Sequence, residues 1–107
     1  MRKITIKKIL SKKKKSPIIC LTAYTKNVTK IVDKYCDIIL VGDSLGMVLY
    51  GMKSTREVTI DQMILHGKTV KKFSKRSLVV VDMPFKTYSN KTVAYKNAKK
   101  IVKLTKC

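Results

Sequence analysis

The sequence predicts an α/β fold with a parallel sheet, and three observations carry that prediction. Two short runs of almost wholly β-branched residues, Ile38–Ile39–Leu40–Val41 and Leu78–Val79–Val80–Val81, read as strands buried on both faces. Each run ends in a loop carrying an aspartate, Asp43 after Gly42 and Asp82 before Met83–Pro84–Phe85. Amphipathic stretches of helical period lie between and after the runs, and such alternation implies parallel strands joined by right-handed crossovers.

Taken in order, residues 3–11 carry Ile4, Ile6, Ile9 and Leu10 among lysines and read as a short leading helix. Lys12–Lys15 is a charge run that ends at Ser16–Pro17, expected to be a solvated linker. Ile18–Thr22 reads as a first strand, with Cys20 inside it as a buried thiol. Val28, Ile31, Val32 and Tyr35 recur at helical spacing, so a helix is expected from about Thr25 to Tyr35, and Asp37–Val41 is the second strand. Thr59 and Gln62 form a capping-box pair that opens a helix to Phe73, packing through Ile60, Met63, Ile64, Val70 and Phe73. After the third strand, Lys91 to about Leu104 forms the last helix, packing through Ala94, Ala98, Ile101 and Val102. The βα units thus cover about 18–35, 37–73 and 78–104 of one domain, 1–107. No cap follows the last helix, and the chain is expected to be cut off.

Length and composition set limits. At 107 residues with 45% apolar content the chain holds one small core. The formal charge of +19 suggests an anionic partner, but only Arg2, Arg56 and Arg76 are arginine and tryptophan is absent. Bidentate phosphate and base recognition favours Arg with aromatic stacking, so lysines on solvated helix faces are the preferred reading and no specific nucleic acid is expected. Three cysteines without a CxxC spacing read as free thiols in a reducing compartment. No signal-peptide pattern and no apolar run of membrane-spanning length occurs, so a cytoplasmic protein without membrane contact is expected.

The functional signal is the loop Gly42–Asp43–Ser44–Leu45–Gly46, whose two glycines are expected to permit a tight turn and close approach of a ligand. It fits the G-x-S-x-G nucleophile elbow and spells the GDSL block of a hydrolase family. A nucleophilic serine needs a base within reach. His66, the sole histidine, lies on the next helix, where a helix-face role or one supporting the site from behind is expected rather than catalysis. Met47–Tyr50 is expected to separate Ser44 from any following helix, which weighs against the elbow. In the other reading Asp43 and Asp82 sit on neighbouring strand ends roughly 5 Å apart and converge on one hard cation such as Mg2+.

Val41–Met47, together with Leu21–Thr22–Ala23–Tyr24, Ser54–Thr55, Val58–Thr59, His66, Asp82–Met83–Pro84–Phe85 and Tyr88, resembles ketopantoate hydroxymethyltransferases over nearly the whole chain. The resemblance implies the first three βα units of a (β/α)8 TIM barrel with a leading helix, in a homo-oligomer. It implies transfer of a hydroxymethyl group from 5,10-methylenetetrahydrofolate to the 2-oxo acid 3-methyl-2-oxobutanoate, giving 2-dehydropantoate in pantothenate biosynthesis with Mg2+. Asp43 and Asp82 match metal-ligand positions; Asp43, Ser44 and Asp82 match positions that hold the keto acid. Chelation polarises the carbonyl, acidifies the adjacent C–H and stabilises an enolate that attacks the one-carbon unit. Thr25 stands where the family commonly has Asp, and Arg56–Glu57 replaces a more usual Leu-Pro. The family's substrate-binding Lys, third acidic ligand and general-base Glu lie beyond Cys107. No catalytic residue is therefore expected within this chain, and these 107 residues alone are expected to be inactive.

Overall fold

The computed structural model describes residues 2–107. Helix α1 (Ile6–Lys12) precedes strand β1 (Cys20–Thr22), helix α2 (Lys26–Val32) and strand β2 (Ile38–Val41). Helix α3 (Leu45–Tyr50), a 3-10 turn (Thr55–Glu57), helix α4 (Ile60–Phe73), strand β3 (Leu78–Val81) and helix α5 (Lys91–Thr105) follow. The sheet is parallel in the order β1-β2-β3, with Thr22, Leu40 and Val80 side by side. An α/β fold with a small parallel sheet is thus what these residues form.

One face of the sheet makes the core. Ile39, Val41 and Val79 are buried with Met63 and Val70 of α4, and with Leu45 and Val58. The capping box expected at Thr59 is present: its hydroxyl accepts from the Gln62 N–H, and the Gln62 side chain accepts from the Thr59 N–H. Gly67 sits on the buried side of α4, where a Cβ would come within 2.9 Å of Thr105 Cγ2 and 3.1 Å of Val81 Cγ2. Its lack of a side chain is what brings α4 close to both α5 and β3.

Two buried carboxylates fasten the amino-terminal end of the sheet. Asp33 accepts from the Ser74 hydroxyl and from the backbone N–H groups of Lys75, Arg76 and Ser77. Burial pushes its pKa up, but the hydrogen bonds from Ser77, Lys75 and Ser74 outweigh burial and hold it below the ordinary carboxylate value. Asp37 accepts from Lys12 Nζ at 2.8 Å and from the Ile19 N–H at 2.9 Å, with Arg76 also close, and its pKa is lowered chiefly by the Lys12 bond. The Ile4 N–H donates to the Arg76 carbonyl at 2.7 Å, so the leader is tied to the same corner.

Several sequence expectations give way. The strands are not buried on both faces: Ile38 and Leu40 are half-buried and Val80 is exposed, because helices cover only one side of the sheet. Cys20 is exposed rather than buried, since β1 is an edge strand and its register places Cys20 on the uncovered face with Ile38 and Leu78. Cys36 is buried, and burial pushes its thiol pKa up. The leading helix starts at Ile6, where Thr5 caps it, and contributes no buried residue of its own. Helix α2 ends at Val32 rather than Tyr35; within it only Thr29 is buried, while Val28 and Ile31, and Tyr35 in the turn after it, are exposed. In α5 the buried pair is Ile101 and Thr105, and Val102 is 52% exposed. Lys106 closes α5 in the left-handed conformation at φ 66°, where no cap was expected. Among the described residues no helix is long and apolar enough to cross a membrane.

Candidate functional site

The site forms where three adjacent strands end. The ladder continues one residue beyond each strand, through Ala23 N–H to Leu40 O at 3.2 Å and Asp82 N–H to Val41 O at 3.0 Å. Tyr24, Asp43–Ser44 and Asp82 therefore leave the sheet together at its carboxyl end, where parallel α/β folds place their chemistry. All four side chains are in half-buried residues.

Two hydrogen bonds stitch the three loops together. Asp82 Oδ2 accepts from the Asp43 backbone N–H at 3.0 Å, joining the ends of β2 and β3. Tyr24 Oη and Ser44 Oγ lie 3.0 Å apart, joining the ends of β1 and β2. Asp43 and Asp82 thus fall at the same end of the sheet, with Ser44 beside them. Burial first, and then the negative charge of Asp82, push the Asp43 pKa up. Among the described residues no group of three or more His, Cys, Asp or Glu side chains that could hold a metal ion converges.

Helix α3 begins at Leu45, directly after Ser44, which corrects the expectation that Met47–Tyr50 would hold a helix off. Leu45, Gly46 and Met47 donate in turn to the carbonyls of Gly42, Asp43 and Ser44, so the loop turns straight into the helix. The hydrolase reading still lacks its base. His66 Nδ1 meets the Tyr24 carbonyl at 2.9 Å and Nε2 meets Tyr50 Oη at 2.6 Å, and neither ring nitrogen engages Ser44. His66 occupies the helix-face position that its spacing predicts, on α4.

The two glycines of the loop differ in their surroundings. A Cβ on Gly46 would run into Val58 Cγ2 and come within 2.8 Å of Met52 Sδ, so Gly46 is required for α3 to pack on the segment after it. A Cβ on Gly42 would make ordinary contacts, 3.4 Å to Ser44 Oγ and 3.5 Å to Asp82 Oδ2. Sequence reasoning missed two partners, the Tyr24 hydroxyl on Ser44 and the Tyr50 hydroxyl on His66. Tyr24 carried a signal, since it closes the Leu21–Tyr24 motif; Tyr50 carried none. Arg56, one of the departures from the family pattern, stacks its guanidinium 5.4 Å from the Phe85 ring centre beside the Asp82 loop. A groove of about 750 Å3 lies elsewhere, between α1 and the Asp37–Arg76 corner at the opposite end of the sheet.

Residues 3–107 match the sequence pattern of the family described as Ketopantoate hydroxymethyltransferase. A protein of Pelagibacter ubique named 3-methyl-2-oxobutanoate hydroxymethyltransferase is 57% identical over 104 residues, which cover 94% of this chain and 40% of that protein. Proteins of the same name from Anaplasma marginale and Rhizobium etli are 52% and 50% identical, and the matched regions cover 38% and 39% of them. The chain therefore spans about 40% of the length of the curated relatives it matches. By a match that runs from residue 3 to residue 107, the chain belongs to the ketopantoate hydroxymethyltransferase family.

Proposed function

We propose that this chain provides the keto-acid and metal half of a hydroxymethyltransferase site, acting on 3-methyl-2-oxobutanoate with 5,10-methylenetetrahydrofolate as one-carbon donor. The single observation that supports it best is the meeting of Asp43, Ser44 and Asp82 at one end of three parallel strands, the Asp82 carboxylate bonded to the Asp43 N–H. Asp43 and Asp82 would hold Mg2+, which when bound supplies Lewis-acid polarisation of the keto oxygen. The donor set fits: both groups are hard oxygen ligands, and Mg2+ is commonly held by one or two carboxylates plus substrate and water oxygens.

The chain's own residues then have separable tasks. Asp82 fixes the Asp43 backbone while keeping its second oxygen free of that bond. Ser44 binds the keto acid's carboxylate through its hydroxyl. Proton removal from C3 needs a base within reach. His66 is not that base, since both of its ring nitrogens are engaged. The base, a third acidic ligand and the Lys that the family resemblance implies belong to the length of the relatives that this chain does not match. In this reading the three-stranded sheet is part of a (β/α)8 barrel in a homo-oligomeric, cytoplasmic enzyme.

Co-production of this chain with the portion of the Pelagibacter ubique relative that it does not match tests the reading. Mg2+-dependent formation of 2-dehydropantoate is expected only with both parts, with Asp82→Ala losing far more activity than Ser44→Ala. Turnover that survives Asp82→Ala, or ester hydrolysis that depends on Ser44, would contradict it, since a serine hydrolase would show the reverse order.

A further inference from the structure

Three hydrogen bonds link Tyr50, His66, Tyr24 and Ser44 in a row leading into the site, Tyr24 taking part through both its backbone carbonyl and its hydroxyl. Ser44 Oγ is 3.0 Å from Tyr24 Oη, the Tyr24 carbonyl is 2.9 Å from His66 Nδ1, and His66 Nε2 is 2.6 Å from Tyr50 Oη. The Tyr24 carbonyl can only accept, so His66 Nδ1 carries a proton. In the neutral ring Nε2 is then an acceptor, and the Tyr50 hydroxyl donates to it. The Tyr50 and His66 rings also meet edge to face, with centres 5.8 Å apart. Tyr24 is thus pinned at its backbone by α4 and reaches across from β1 to the loop after β2.

The far end of this line is a pair of hydroxyls with two protons between them. Whichever oxygen donates within the pair, the other hydroxyl keeps a proton free to donate outward. Ser44 makes no capping bond to α3, so its hydroxyl is not diverted to the helix. Resting on the function proposed above, we infer that the Tyr24 and Ser44 hydroxyls act as one donor unit for the carboxylate of the 2-oxo acid. His66 and Tyr50 are positioning residues that hold Tyr24 in place for it.

The test uses the 107-residue chain, with two probes: Mn2+ alone, followed by electron paramagnetic resonance, and 3-methyl-2-oxobutanoate in saturating Mg2+, followed by amide shifts of residues 43–44. Tyr24→Phe is expected to weaken keto-acid binding about tenfold, the scale of one hydrogen bond to a charged group, while Mn2+ affinity stays within about twofold. The double variant Tyr24→Phe/Ser44→Ala should lose no more than the worse single variant, as for residues acting as a unit. Nitrogen-15 spectra should show the Nδ1–H tautomer of His66. If Tyr24→Phe lowers the melting temperature by several degrees, Tyr50→Phe replaces it: about threefold weaker keto-acid binding, with unchanged Mn2+ affinity, is then expected. Wild-type binding of the keto acid that neither variant weakens would overturn the donor unit alone. No keto-acid binding by the wild-type chain, with Mn2+ bound, would overturn the functional reading and the donor unit's role with it.

Discussion

The Asp82 carboxylate accepts a hydrogen bond from the backbone N–H of Asp43 at 3.0 Å, so one member of the acidic pair orients the loop that carries the other. The two residues are 39 apart in sequence and are brought together by the β2–β3 register, which the Asp82 N–H extends to the Val41 carbonyl. Removing the Asp82 carboxylate therefore disturbs both the pair's charge and the path of the Gly42–Ser44 loop.

Asp43→Asn should stabilise the chain at neutral pH. Its pKa is raised by burial and by Asp82, so the folded state holds more protons than the unfolded state just above the ordinary value of 3.8. Stability attributable to this group falls as pH rises through that window, and the penalty persists above it. Urea melts at pH 7 should show a gain on the order of 0.5–1 kcal/mol, kept small by solvent screening. A loss of stability would mean that the Asp43 charge is compensated within the chain.

Asp33→Ala should be the most damaging polar substitution in the amino-terminal half of the sheet. It leaves the N–H groups of Lys75, Arg76 and Ser77 without their acceptor, and Ser77 is fully buried. The expected cost is about 2–4 kcal/mol in denaturant melts. The lowered pKa values of Asp33 and Asp37 give a matching acid limit. Their contribution is present above the ordinary carboxylate value and is lost as pH falls through the lowered folded values. Acid unfolding monitored by circular dichroism should accordingly set in below about pH 4.

Gly46→Ala should destabilise by about 1–3 kcal/mol through overpacking against Val58 and Met52. Gly42→Ala, which meets only ordinary contacts, should leave the melting temperature nearly unchanged while crowding the Asp82–Ser44 space. Equal effects at the two positions would argue against separate packing and site roles.

Much of this arrangement is legible in the residues. The β-branched runs Ile38–Val41 and Leu78–Val81 mark their strands, and the Thr59–Gln62 pair marks the start of α4 because local chemistry alone sets it. The aspartates at the strand ends follow from the same runs. What escapes is set by tertiary context. Leu45–Tyr50 is too short, and too uniformly apolar around Gly46, for a helical period to show. The outward residues Val28, Ile31, Tyr35 and Val102 have helical spacing, but spacing says nothing about which neighbour covers a face. The contacts of Tyr24 with Ser44 and of His66 with Tyr24 span 20 and 42 residues, and no local pattern encodes them.

The chain by itself should form no 2-dehydropantoate from 3-methyl-2-oxobutanoate and 5,10-methylenetetrahydrofolate. His66 is the only histidine, and both ring nitrogens are engaged away from the Asp43–Asp82 pair. Turnover by the purified chain, lost in His66→Gln, would mean that His66 leaves its two partners and serves as the base.

The central claim, that Asp43 and Asp82 form one cation site that presents a 2-oxo acid, is tested most directly by Mn2+ binding to the purified chain. Electron paramagnetic resonance titrations should show one Mn2+ per chain, displaced by Mg2+, tightened by 3-methyl-2-oxobutanoate, and lost in both Asp43→Asn and Asp82→Asn. Binding that survives both substitutions, or that 3-methyl-2-oxobutanoate leaves unchanged, would contradict the account.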